Sequence, residues 1–143
     1  MVASRSSLVA GSTPKSPQGY RDLQVYQASL DALVRVHALA ASLPSIEKFE
    51  LASQFRRASK SVPVNIAEGY AKRLSPKEFV SYLTTALGSA NELEVHLEIA
   101  RRLGYISEEA RADLQGEYSI IGRQLAALIR SWQPVKTQAT SDQ

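Results

Sequence analysis

At 143 residues, 44% of them hydrophobic, the chain is long enough to bury the core of one domain. It contains no cysteine, which excludes disulfides, thiolate metal sites and cysteine nucleophiles. A formal charge of +3 and a pI of about 9.3 make it mildly basic, too weakly for composition alone to announce a nucleic-acid binder.

Residues 1–19, rich in Ser, Gly and Pro, read as a disordered leader. Residues 134–143, opening on the helix-stopping Pro134, read as a disordered tail. No apolar run approaches the roughly 20 residues that span a bilayer, and the N-terminal stretch lacks the apolar core of a secretion signal. A cytoplasmic protein without membrane contact is expected. Residues 20–133 carry four helical patterns and no credible strand.

The first helix is expected from Asp22, as N-cap, to Leu43. Leu23, Tyr26, Leu30, Leu33, Val34 and His37 recur at helical spacing, and Val36, Leu39 and Leu43 widen the apolar face. Pro44 and Ser45 break the chain, and the second helix follows from Ile46 to Lys72. Its Leu51, Phe55, Ala58, Val62 and Ile66 fall on one stripe roughly 80° wide. Arg57, Ser61, Asn65 and Glu68 form a polar stripe beside it. Ser and Asn are indifferent helix formers, so this row suggests partly buried hydrogen bonding rather than a solvated face. Pro63 predicts a kink, with the hydroxyls of Ser59 and Ser61 close enough to satisfy the freed backbone carbonyl.

The third helix has the clearest start, with Ser75 as N-cap, Pro76 in the first turn and Glu78 at the capping-box position. Phe79, Leu83, Ala86, Ala90, Leu93, Leu97 and Ala100 make its core stripe, and Gly104 is placed for a left-handed stop covered by Tyr105. Ala86, Ala90 and Ala100, with Gly88 and Ser89, would let backbones approach closely. The fourth helix starts at Ser107, with Glu108 and Glu109 complementing its dipole, and runs through Leu114, Tyr118, Ile121, Leu125, Leu128 and Trp132. Short connections make the four antiparallel neighbours. The fold class is all-α, an up-down-up-down four-helix bundle with its second helix kinked at Pro63.

Such a bundle can hold a di-metal carboxylate site, which needs Glu-x-x-His on two helices. The two histidines, His37 and His96, do not follow a Glu by three residues; Glu92 and His96 stand four apart without a matching pair. No metal or other cofactor is expected, and His37 reads as a core-edge or interface residue. There is no Gly-rich phosphate loop, nucleophile elbow or Ser-His-Asp set, so the chain does not read as an enzyme.

The polar row has a counterpart in Thr85, Ser89, Glu92 and His96 on the third helix. The expectation is that Arg57 meets Glu92, within the chain or between copies, with Ser61, Asn65, Glu68 and Ser89 completing the network. Such a network serves register and assembly better than net stability; the competing reading is a polar pocket for a small ligand. Arg56 and Lys60 lie opposite the core stripe and should be exposed. With Lys72, Arg73, Lys77, Arg101 and Arg102 they are candidates for phosphate contacts, against the plainer reading of a solvated surface of mixed charge. No aromatic residue interleaves with them, so base stacking is not indicated. Binding would be non-specific and salt-dependent.

The segment from Leu51 to Gly69 (LASQFRRA followed by SVPVNIAEG), with Glu78-Phe79, the run Ala86 to Glu94 (ALGSANELE) and Leu103-Gly104-Tyr105-Ile106, resembles the 23S rRNA-intervening-sequence proteins. The opening Asp22 to Gln27 resembles that family's first helix, with Tyr26 where Trp is common, so the resemblance covers about residues 21–132. It implies a four-helix bundle that assembles as a ring, typically a homopentamer. It extends distantly to the accessory protein of diversity-generating retroelements, a more basic protein that binds nucleic acid and a reverse transcriptase. The expected function is a non-enzymatic, ring-forming interaction scaffold with weak, mainly electrostatic binding to structured RNA or DNA. The alternative is a protein-assembly module that binds a protein partner and no nucleic acid.

Overall fold

The computed structural model describes residues 19–133; the disordered leader and tail expected from the sequence lie outside the described residues, Gly19 excepted. Four helices carry the fold: α1 (Gln24–Ala41), α2 (Leu51–Ala71), α3 (Pro76–Arg102) and α4 (Glu108–Trp132). Short 3-10 turns at Tyr20–Asp22 and Ser45–Glu47 precede α1 and α2. Each helix packs on its sequence neighbours and α1 closes the ring against α4, which gives an up-down-up-down bundle with no strand among the described residues. One end carries the α1–α2 and α3–α4 loops. The other carries the α2–α3 turn and the outer ends of α1 and α4.

The helix signals succeed where side chains cap backbone. Ser75 Oγ accepts from the Glu78 amide at 3.3 Å and Ser107 Oγ from the Ala110 amide at 3.0 Å. Gly104, at φ +81°, closes α3: its N–H donates to Arg101 O at 3.0 Å and that of Tyr105 to Ala100 O at 2.9 Å, the paired bonds of a Schellman motif. Asp22, by contrast, belongs to the 3-10 turn and Leu23 is the N-cap of α1. The second helix starts at Leu51 rather than Ile46, because the chain first folds into the turn at Ser45–Glu47.

The stripes expected on α2 and α3 are buried throughout, and Leu114, Tyr118, Ile121 and Leu125 carry α4 into the core. On α1 the expected stripe is displaced. Its buried residues are Val25, Ser29, Ala32, Val36 and Ala40, while Val34 is 66% exposed and Leu30 and Leu33 are half-buried. Small side chains set that face, and Ser29 is buried without penalty because its Oγ donates to Tyr26 O at 2.8 Å.

Helix α2 runs unbroken through Pro63. Neither nearby hydroxyl turns to the freed Ser59 carbonyl: Ser59 Oγ donates to Arg56 O at 3.0 Å, and Ser61 Oγ is engaged with Asn65 and Ser89. Close approach of α2 and α3 is set at Gly69 rather than Gly88. A Cβ on Gly69 would lie 2.7 Å from Tyr82 Cβ, whereas one on Gly88 would meet nothing within 4 Å.

Candidate nucleic-acid interface and assembly surface

The polar row forms, with a narrower membership than the pattern suggests. Asn65 Nδ2 donates to Ser61 O at 2.9 Å and to Ser61 Oγ at 3.0 Å, and Ser89 Oγ donates across from α3 to Ser61 Oγ at 2.7 Å. These three half-buried residues seam α2 to α3 through the single bond between Ser89 and Ser61, which Asn65 braces from within α2. Arg57, Glu68 and Glu92 are exposed beside them. Within the chain Arg57 does not meet Glu92, whose Oε2 lies 2.9 Å from His96 Nε2 one turn away. His96 in turn packs edge-on against Phe55 in the core, with ring centroids 5.6 Å apart. Thr85 Oγ1 bonds back to its own helix, to Ser81 O at 3.2 Å, rather than joining the row. Val64, Val95 and Ile99 stand exposed near this seam.

The seven candidate cations fall into three groups. Arg56 and Lys60 lie where α2 flanks α1. Lys60 is exposed as expected, but Arg56 is half-buried and its Nη2 reaches Lys48 O at 3.4 Å. His37 of α1 sits against this pair, its Nε2 shut off from solvent and without a partner among the described residues. Burial first, then the positive charges of Lys60 and Arg56, push the His37 pKa below its ordinary value; a hydrogen bond to the Arg56 backbone acts in the opposite sense.

Lys72, Arg73 and Lys77 gather about the α2–α3 turn, roughly 24 Å from Arg56 along the helix axis at 1.5 Å per residue. Arg73 is docked: its guanidinium lies 4.1 Å from the Tyr70 ring centroid, and Nη1 donates to Tyr70 O at 3.0 Å. Lys72 Nζ stands 6.0 Å from the Tyr82 centroid. Arg101 and Arg102 return to the loop end. Arg101 Nε donates to Glu108 Oε1 at 3.1 Å, and the same carboxylate grips Arg111 at 2.9 and 2.5 Å. The Arg111 contacts, joined by those of Arg101, hold Glu108 down at a pKa of about 2. Arg101 therefore shares a single carboxylate with Arg111. Arg56, Lys60, Lys72, Lys77 and Arg102 have no carboxylate partner among the described residues.

The structure also supplies an aromatic ring that the sequence pattern concealed. With helix two expected from Ile46, Phe49 would be one more helical residue; it stands instead in the loop before α2, 84% exposed. Lys48 Nζ lies 5.5 Å from its centroid, and Lys48 O is the group that Arg56 reaches. The expectation that no aromatic interleaves with the cations fails here, because the turn at Ser45–Glu47 lifts Phe49 out of the helical register.

No three His, Asp or Glu side chains among the described residues stand close enough together to hold a metal ion. No helix among them is long and apolar enough to cross a membrane.

Four antiparallel helices seamed by a Ser–Asn–Ser row define a small helical-bundle protein whose distinctive residues lie between its second and third helices. The chain belongs to the 23S rRNA-intervening sequence protein family, which it matches over residues 21–127. It is similar to a protein with unknown function from the S23 ribosomal protein family of Bacteroides thetaiotaomicron, known from a crystal structure. The two are 31% identical with a TM-score of 0.68, over 74% of this chain and 95% of that one. No curated protein matches.

Proposed function

We propose that the protein is a non-enzymatic cytoplasmic scaffold that assembles with itself into a ring and binds nucleic acid through phosphate contacts. The observation that carries this reading is the division of its charges. Arg35 is taken up by Asp113 and Glu117 at 2.6 and 2.9 Å, and Arg101 and Arg111 share Glu108, whereas Arg56, Lys60, Lys72, Lys77 and Arg102 are held in no ion pair among the described residues. Cations held in no ion pair are available to a polyanion without first breaking one.

Self-assembly is supported by the α2–α3 face, where exposed Val64, Val95 and Ile99 accompany Arg57 and Glu68. In a ring, Arg57 of one copy would meet a carboxylate of the next, Glu92 or Glu68; a pentamer is what the family resemblance implies. Sites that are weak singly gain from repetition around a ring.

Light scattering with and without a structured RNA fragment, at low and physiological salt, tests both halves. The expected result is a multimeric mass that rises with RNA and returns to the protein value as salt is added. Lys60→Glu should reduce the salt slope by about 1. A multimer indifferent to RNA at low salt would overturn the nucleic-acid half in favour of a protein partner, and a monomer would overturn the ring.

A further inference from the structure

Phe49 has no structural task that explains it. It and Ile46 are 84% and 79% exposed, while the core is closed without them. Yet the loop that bears the ring is firmly built. The Glu47 amide donates to Pro44 O at 2.8 Å, that of Lys48 to Ser45 O at 3.1 Å and that of Glu50 to Glu47 O at 3.0 Å. The Glu47 carboxylate then fastens the loop on two sides, accepting from the Leu51 amide at 3.2 Å and from the Tyr105 hydroxyl at 2.8 Å. A ring on a bonded loop is presented ready for contact, so little ordering cost falls on binding.

Its surroundings choose the partner. Lys48 lies beside the ring, Arg56 beneath Lys48, and Lys60 one turn further along α2; none has a carboxylate partner among the described residues. The Glu47 carboxylate is occupied by Tyr105 and the helix start. Glu50 is the exposed carboxylate that opposes an anion here. An exposed aromatic face among free cations suits a base flanked by phosphates, because every base offers a π-face and stacking tolerates any sequence.

We infer that Phe49 is a stacking platform for an unpaired base of a single-stranded nucleic acid, with Lys48, Arg56 and Lys60 on the flanking phosphates. This rests on the nucleic-acid reading above and narrows it, since a fully paired duplex has no free base face to offer.

The test is fluorescence anisotropy of the full chain with labelled oligouridylate and oligothymidylate of about ten nucleotides, and with a blunt duplex of the same length. Phe49→Ala should weaken single-strand binding roughly 5- to 150-fold and leave duplex binding unchanged. Phe49→Trp should restore it, and Phe49→Leu, apolar without a π-face, should behave as the alanine variant. Glu50→Gln should tighten both ligands. Because Phe49 is exposed, thermal melting should not move in any Phe49 variant. Binding by Phe49→Ala equal to that of the unaltered chain overturns the platform, as does an equal loss for strand and duplex, while leaving the phosphate-binding reading in place. Retention by Phe49→Leu overturns it, because an apolar contact without a π-face would then suffice. No binding of any oligonucleotide at low salt overturns the platform and the wider reading together. RNA and DNA strands that bind alike fit stacking; loss of the DNA strand alone would mean that the ribose hydroxyl, not the ring, governs recognition.

Discussion

Two glycines on facing helices should respond to the same substitution with opposite signs. Gly69 lies in the last turns of α2, where an added Cβ would sit 2.7 Å from Tyr82 Cβ and 3.1 Å from Phe79 Cδ1. The Phe79 ring can turn aside; Tyr82 Cβ is fixed to the α3 backbone. Restoring ordinary carbon contact requires the helices to part by roughly 1 Å, next to a buried Phe79 that also packs edge-on against Trp132 with centroids 4.8 Å apart. Overpacking of this kind costs about 1–3 kcal/mol, against a helix gain of about 0.5–1 kcal/mol for Gly→Ala. The net expectation for Gly69→Ala is a loss of about 1–2 kcal/mol, or ~4–8 °C in Tm for a domain of this size. Gly88 on α3 faces open space, so Gly88→Ala should gain up to about 1 kcal/mol. Urea unfolding of the two variants beside the parent measures both. A Gly69→Ala protein as stable as Gly88→Ala would refute the claim that backbone approach, rather than flexibility, sets glycine at position 69.

The other predictions concern polar groups. Ser61→Ala leaves the Ser89 hydroxyl and one Asn65 N–H without their half-buried partner, so it should cost about 1 kcal/mol; a double-mutant cycle with Ser89→Ala should return a favourable coupling, and strict additivity would show the seam to be idle. His37 has its folded pKa below the unfolded value of 6.5, so the unfolded chain takes up the proton first and stability falls as pH drops below 6.5. His37→Gln should flatten the Tm-against-pH profile there; an unchanged slope would remove His37 as its cause. Glu108 is the opposite kind of group, with its pKa depressed from 4.5 to about 2 by Arg111 and Arg101. Its contribution is complete above pH 4.5 and lost as pH falls toward 2, and carbon-detected NMR of the carboxyl should show a midpoint near 2 rather than an ordinary glutamate value.

How much of this fold can be read from residues alone depends on what makes each face. On α3 the large apolar side chains are the core, so the stripe from Phe79 to Ala100 follows directly from the pattern. On α1 that equation fails. Ser29, Ala32 and Ala40, with Val25 and Val36, make the inner face and Val34 faces water, so small residues are buried while bulkier ones lie on the flank. Hydropathy weights size and does not single out a face made largely of small residues. The same limit hides Gly69, which looks like a helix end in the sequence and acts as a contact point. The Ser61–Asn65–Ser89 row was legible because Ser and Asn are poor helix formers and call for another reason to be there. Phe49 was not: its exposure depends on where α2 begins, and helix starts without a side-chain cap, such as the one at Glu50, leave little trace in a sequence.

One carboxylate connects these features. Glu47 satisfies the Leu51 amide, so α2 begins there without a cap from Glu50, and it binds the Tyr105 hydroxyl from the α3–α4 loop. Tyr105 is placed for this by the left-handed Gly104 that ends α3. The bond between the loops thus ties the start of α2 to the end of α3, at the far end of the bundle from the Gly69 contact. It also draws one negative charge of the loop inward. What remains outward on that loop is Ile46, Lys48, Phe49 and Glu50, with Arg56 and Lys60 along the helix it introduces. The same bonds that fix the register of α2 therefore decide which groups that end of the bundle offers to a partner.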